Sequence, residues 1–164
     1  MSILSLLSNL QFLWFLLGAT SVTLAYFFWF YKKERRLFKN LKRPVAIIVS
    51  DIDNMSHEAE LLKSIKFFDV RLLQDPQRSI DIIDDRYRLV ILRYKKDSES
   101  FWKTFNSLSG RQFPVIVFSK PGEIDREDVR KIQGYSLHTL CNAPLRLISD
   151  VFAIMSTYPE DKKI

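Results

Sequence analysis

Thirty-one residues without one charged side chain open this sequence, and a dense basic cluster follows at once. Met1 to Tyr31 holds no Asp, Glu, Lys or Arg, whereas residues 32–43 hold seven basic side chains against the single acidic Glu34. From Pro44 onward 18 Lys and Arg face 18 Asp and Glu, so the formal charge of +6 resides in the cluster alone. A basic charge confined to one collar does not describe a nucleic-acid-binding surface, and no DNA or RNA polymer is expected as a partner. Within the uncharged stretch, Phe12 to Tyr31 supplies 20 mostly apolar residues. As a helix rising about 1.5 Å per residue, such a segment covers about 30 Å, the thickness of bilayer hydrocarbon.

The flanks fit that geometry. Trp14 lies near one end and Tyr26, Trp29 and Tyr31 near the other, the places that interfacial rings favour. Gly18, Ala19, Thr20, Ser21 and Thr23 make the middle less greasy. A helix hides such hydroxyls on its own carbonyls, and the small residues permit close helix contact and self-association. A cleaved leader requires a basic start and a small-residue cleavage site, neither of which is found. The expectation is a retained single-pass anchor in the cell inner membrane. The basic flank puts the N-terminus outside and the C-terminal domain in the cytoplasm, with the collar against anionic lipid. The domains expected are residues 1–31 as transmembrane anchor, 32–43 as basic juxtamembrane segment and 44–164 as cytosolic domain. The lone Cys141 excludes an internal disulfide, which suits a reducing compartment, and His57 and His138 have no metal-ligand spacing. Neither a metal nor another cofactor is predicted.

After the collar, runs of apolar residues alternate with helical periods. Val45–Val49, Leu89–Leu92 and Val115–Phe118 are continuous apolar runs, as in strands covered on both faces. Asp69–Leu73 and Leu137–Cys141 are weaker strands. Helical patterns run from Ser56 to Phe68, with Ser56 as a capped start, from Gln77 to Ile83, from Ser98 to Leu108, from Asp125 to Ile132 and from Leu145 to Met155. In the last of these, Leu145, Ile148, Val151, Phe152 and Met155 form the apolar period. The fold class is therefore α/β: one transmembrane helix followed by a three-layer, mostly parallel, five-stranded flavodoxin- or Rossmann-like domain, with strand order 2-1-3-4-5.

In such a sheet ligands collect beyond the carboxyl ends of the strands. Ser50, Asp51 and Asp53 follow the first strand, Arg93, Lys95 and Lys96 the third, Ser119 and Lys120 the fourth, and Asn142 the fifth. The four bases are candidates to contact a phosphate, and Ser50, Ser119 and Asn142 to orient it, aided by backbone amides of the helix beginning near Ser56. The competing reading makes them solvated loop charges balanced by Asp51, Asp53 and Asp97. Cys141 and His138 sit three apart on a strand and so face opposite ways, which disfavours a Cys–His pair and makes Cys141 a small buried residue. With four Gly in the chain, no glycine-rich phosphate loop and no nucleophile elbow occur.

Three families resemble this layout. Asp51 and Asp53 after the first strand look like the acidic, cation-holding pocket of bacterial response-regulator receiver domains. That family places a phosphoacceptor Asp at the end of the third strand, where this chain has Arg93. Its Lys-Pro pair follows the fifth strand, whereas Lys120-Pro121 follows the fourth. The stretch Leu89 to Trp102 is similar to the third strand and the Ser- and Trp-bearing helix of Toll/interleukin-1-receptor-like domains. Enzymatic members cleave NAD with a Glu a few residues beyond that Trp, where this chain reads Lys103-Thr104-Phe105-Asn106. The pairing of an anchor with a small α/β domain resembles nucleotide-sensing Rossmann-like domains of bacterial antiviral membrane effectors.

The functional expectation is a non-enzymatic, membrane-anchored signalling or effector protein. Its cytosolic domain would sense a nucleotide-like anionic ligand in antiviral defence, with self-association of several chains. One alternative is a non-catalytic scaffold that docks another membrane protein. The other is an NAD- or nucleotide-cleaving enzyme that uses Glu99 or the pair Asp51 and Asp53.

Overall fold

The computed structural model describes residues 3–49, 55–83 and 87–157, in two compact units that meet between Phe38 and Lys39. The described residues of the first unit are helical. Helix α1 runs over Ile3–Leu41, 39 residues, so the basic collar continues the apolar segment as helix. The chain then needs only Lys42 and Arg43 to reach the first strand at Pro44. Thr20 donates its hydroxyl to the Leu16 and Leu17 carbonyls at 2.7 and 3.1 Å, and Thr23 donates to the Ala19 carbonyl at 2.8 Å. Those hydroxyls are thus satisfied within the helix, as a span through hydrocarbon requires. The helix is long and apolar enough to cross a membrane. Rings along it are exposed: Trp14 by 70% and Phe28 by 75%.

The second unit is a five-stranded parallel sheet in the order β2-β1-β3-β4-β5, the order expected from the sequence. Its strands are β1 (Pro44–Ile48), β2 (Asp69–Leu73), β3 (Leu89–Arg93), β4 (Val115–Phe118) and β5 (His138–Cys141). Between and after them run α2 (Ser56–Ser64), α3 (Pro76–Ile82), α4 (Glu99–Gly110), α5 (Arg126–Gln133) and α6 (Pro144–Thr157). Apart from Arg93 at the end of β3, the central strands are apolar because both faces are covered. Ala46, Ile48, Val90, Leu92, Val115 and Val117 pack with Phe101, Phe105 and Leu108 of α4 and Ile132 of α5 on one side. Helices α2 and α6 meet each other on the other side. Ile47, Leu89, Ile91 and Ile116 are all 0% exposed, and each such side chain contributes roughly 1.5–3 kcal/mol on burial.

Local sequence accounts for three helix starts. Ser98 accepts from the Phe101 amide at the start of α4, and Asp125 accepts from the Asp128 amide at the start of α5. At α3, Pro76 takes the first helical position, where its missing N–H costs nothing, and Asp75 accepts from the Arg78 amide at 3.3 Å.

Three expectations need correction. Ser56 does not cap α2: the first helical bond runs from the Ala59 amide to the Met55 carbonyl, which puts Met55 at the cap and Ser56 inside the helix. The same helix ends at Ser64 rather than Phe68, because Ile65 turns extended and Phe68 reaches the core through a following turn. The third concerns the face of α6. Leu147, Val151 and Met155 carry its buried stripe, while Leu145 is 78% and Phe152 46% exposed. Spacing of four selects the stripe; Leu145, two residues before Leu147, points about 200° away.

The phase of α6 is measurable. Leu147→Ala should destabilise the domain by about 2–4 kcal/mol, whereas Leu145→Ala should stay within about 0.5 kcal/mol of the parent. Equilibrium denaturation of the two variants checks this, and equal losses would contradict the assignment.

Candidate functional site

Parallel register brings the functional residues to one rim. Leu92 lies beside Ile48 and Val117, and Val117 beside Leu140; one step further, Arg93 lies beside Phe118 and Phe118 beside Cys141. Residues just beyond that line therefore emerge together at the carboxyl edge of β3, β4 and β5.

The four bases proposed from sequence separate there into four environments. Arg93 ends β3 with its side chain 3% exposed. Its Nη1 donates to Glu123 Oε2 at 2.7 Å and to the Phe118 carbonyl at 3.2 Å, and its Nη2 donates to Glu123 Oε1 at 3.1 Å. This is a two-armed guanidinium–carboxylate fork, the strongest geometry for such a pair. Lys96 lies 3.6 Å from Asp125, the cap of α5. Lys95 is half-buried on the β3–α4 loop. Lys120 lines a cavity with Ser119 and Asn142 of the proposed set and with Arg146, which the sequence reading missed. Ser50, Asp51 and Asp53 lie outside the described residues.

That cavity, of about 330 Å³, opens between the β4–α5 loop and the start of α6. Ser119 is buried and its amide donates to the Cys141 carbonyl at 2.9 Å, which pins the two loops together. Cys141 forms part of the wall. Burial pushes its thiol up, and the thiol donates to the Ala143 carbonyl at 3.3 Å, so it is a poor nucleophile. His138 Nδ1 is engaged by the Tyr135 carbonyl, so the Cys–His pair does not form, as strand alternation implied. Arg146 sits in the first turn of α6, 3.6 Å from Asp150 and 60% exposed. A base in the first turn of a helix that begins two residues after a strand necessarily lies at the strand-end rim; that spacing was the legible signal for it. Glu99, the carboxylate of the enzyme alternative, is exposed at the start of α4 and is not part of the cavity wall.

A second polar cluster sits behind the rim. Tyr94, 0% exposed, donates its hydroxyl to Asp128 Oδ2 at 2.6 Å, and Lys131 donates to Asp128 Oδ1 at 2.9 Å. The Lys131 ammonium also lies 5.2 Å from the Trp102 ring centre. The Tyr94 hydroxyl bond, then the Lys131 bond, holds the Asp128 carboxyl below its ordinary range, and burial followed by the Asp128 bond raises the Tyr94 phenol. This cluster ties β3 to α5.

Among solved structures the domain is similar to response-regulator receiver domains. It superposes on a response regulator from Desulfuromonas acetoxidans with a TM-score of 0.54 at 14% identity, covering 70% of this chain and 98% of that one. The corresponding figures are 0.53, 19%, 69% and 90% for a signal receiver domain from Vibrio parahaemolyticus. For a CheY-like receiver domain from Methanospirillum hungatei they are 0.51, 14%, 69% and 94%. No family model and no curated protein matches the sequence. The receiver resemblance therefore holds as a fold: a flavodoxin-like sheet with flanking helices. Where the receiver pattern calls for a phosphoacceptor carboxylate at the end of the third strand, this chain has the buried, carboxylate-bound Arg93.

Because the Asp128 carboxyl is depressed by folding, its contribution is complete above about pH 4 and is lost as pH falls through its lower native value. Tyr94→Phe removes the principal cause. It should cost about 2 kcal/mol at pH 7, with the difference from the parent shrinking in acid. Denaturation midpoints from pH 7 to pH 3 check this; a pH-independent difference would contradict it.

Proposed function

We propose that this chain is a membrane-anchored signalling protein whose receiver-like domain binds a small, nucleotide-like anion in the β4–β5 cleft. The observation that carries the reading is the cavity in which Lys120 and Arg146 join Ser119 and Asn142 at the carboxyl ends of the strands. Two cations, a hydroxyl and an amide around one opening supply charge and orientation for a phosphate. About 330 Å³ stands at the small end of ligand pockets, which favours a mononucleotide over a dinucleotide. Arg146 is 60% exposed beside the more buried Asp150, so a ligand phosphate can compete for the guanidinium from the solvent side.

With Arg93 at the end of β3, signalling proceeds by binding and not by transfer of a phosphoryl group to that position. Anchoring rests on the exposed apolar length of α1 and on the seven basic residues that follow it, a pattern that retains the domain on the cytoplasmic side. Several anchored chains brought together by ligand would signal through proximity.

The exposed Leu145 and Phe152 favour a second reading, in which the outer face of α6 docks another membrane protein. Double replacement of both by Glu separates the two: it abolishes docking and leaves anion binding intact.

For the first reading, titration calorimetry of the full-length chain in nanodiscs with nucleoside monophosphates and cyclic nucleotides should give salt-sensitive binding. Loss of charge-assisted bonds worth about 1.5–3 kcal/mol each should weaken it at least tenfold in Lys120→Glu and in Arg146→Glu. No heat from any nucleotide, or binding indifferent to both reversals, contradicts the site. Recovery of the full-length chain in the soluble fraction without detergent contradicts the anchor.

A further inference from the structure

The strand-end rim already holds an anion, and that anion belongs to the chain. Glu123 accepts from both arms of Arg93 at 2.7 and 3.1 Å, and its Oε2 accepts from the Lys120 backbone amide at 2.8 Å. A guanidinium fork joined by a loop amide is a donor set that receives any carboxylate or phosphate monoester. The two partners are unequally placed: the Arg93 side chain is 3% exposed and that of Glu123 is 24% exposed. The carboxylate is thus the solvent-side member, and the approach from water to the guanidinium passes through the space it fills.

The loop that carries Glu123 is also suited to let go. Gly122 adopts φ 78°, a left-handed conformation that glycine takes without strain, directly before Glu123. The Glu123 amide closes a turn on the Lys120 carbonyl at 3.1 Å, and β4 has already ended at Phe118. Swinging the carboxylate away therefore breaks no strand pairing. Lys120, Pro121, Gly122 and Ile124 of this loop line the neighbouring cavity, whereas Glu123 turns to Arg93.

We propose that Arg93 and the Lys120 amide form an oxyanion receptor that Glu123 occupies in cis, as a built-in competitor that an external phosphate monoester or carboxylate displaces. The receptor lies on the β3 side of the loop and does not depend on ligand binding in the β4–β5 cleft. Displacement frees the loop and so reshapes one wall of that cleft.

The test is rescue of a vacated receptor. Full-length protein in detergent is melted by intrinsic fluorescence in chloride, acetate or inorganic phosphate at matched ionic strength. In Glu123→Ala, acetate or phosphate should raise the melting temperature saturably, with half-saturation at least tenfold below any response of the parent. The arm that acts at lower concentration identifies the preferred oxyanion. The effect should vanish in Glu123→Ala/Arg93→Met. Where the alanine variant does not accumulate, Glu123→Gln leaves a neutral and weaker occupant, which acetate or phosphate should displace at lower concentration than in the parent. If neither accumulates, the refolding yield in phosphate against chloride is the readout. Equal responses in parent and variant, rescue that survives loss of Arg93, or no gain in refolding would overturn the proposal and leave the pair as an internal brace. None of these outcomes bears on Lys120→Glu or Arg146→Glu in nucleotide binding, so the two readings fail separately.

Discussion

Burial of three apolar strands on both faces is the constraint on which the rest of this domain depends. Val45–Ile48, Leu89–Leu92 and Val115–Phe118 offer no polar face to water, so they are stable only in the middle of a sheet with helices above and below. Helical crossovers make them parallel, and parallel pairing points every strand the same way. The carboxyl ends must then share one edge. Nothing about Arg93, Ser119 or Cys141 individually brings them together; the shared direction does.

Much of this was legible in the sequence, for a physical reason. Fully buried strands write continuous apolar runs, and caps such as Ser98 and Asp125 write polar residues at helix starts, so the element order could be read directly, whereas the strand order came from the layout of known folds and agrees with the sheet. What could not be read was phase and pairing. Leu145 and Phe152 fit an apolar period as well as Leu147 does, and only the direction in which α6 leaves β5 decides which stripe faces inward. A 3.6-residue period over 14 residues tolerates a shifted stripe when both faces are apolar.

The same limit governs the site. Proximity to a strand end was readable for Arg93, Lys96 and Lys120, yet whether each base meets ligand or protein depends on residues far along the chain. Glu123 lies 30 residues from Arg93 and reaches it through the β4–α5 loop; Asp125 meets Lys96 from the next helix. Charge counting saw solvated rim bases, whereas burial of Arg93 required a carboxylate to accompany it, because a buried guanidinium without a partner is severely destabilising. Arg146 escaped notice since it belongs to a helix and not to a loop.

An arginine at the end of the third strand changes what a receiver-like fold can do. A phosphoacceptor must be an oxygen nucleophile, and a guanidinium that is always protonated has no electron pair to offer. Compared with the receiver pattern, the chemistry of the place is inverted, from a nucleophile to a cation that binds a carboxylate. Under the proposal above, the buried cation beneath the loop would respond to whichever oxyanion fills it, and the loop position would report the occupant. With Tyr94 directly after Arg93 and bonded to Asp128 of α5, a change at the loop adjoins the tie between sheet and helix. The fold thus keeps a strand end bonded to the following loop and adjoining a helix, and under the proposal above that strand end would serve competition between an internal carboxylate and an external anion in place of covalent phosphoryl transfer.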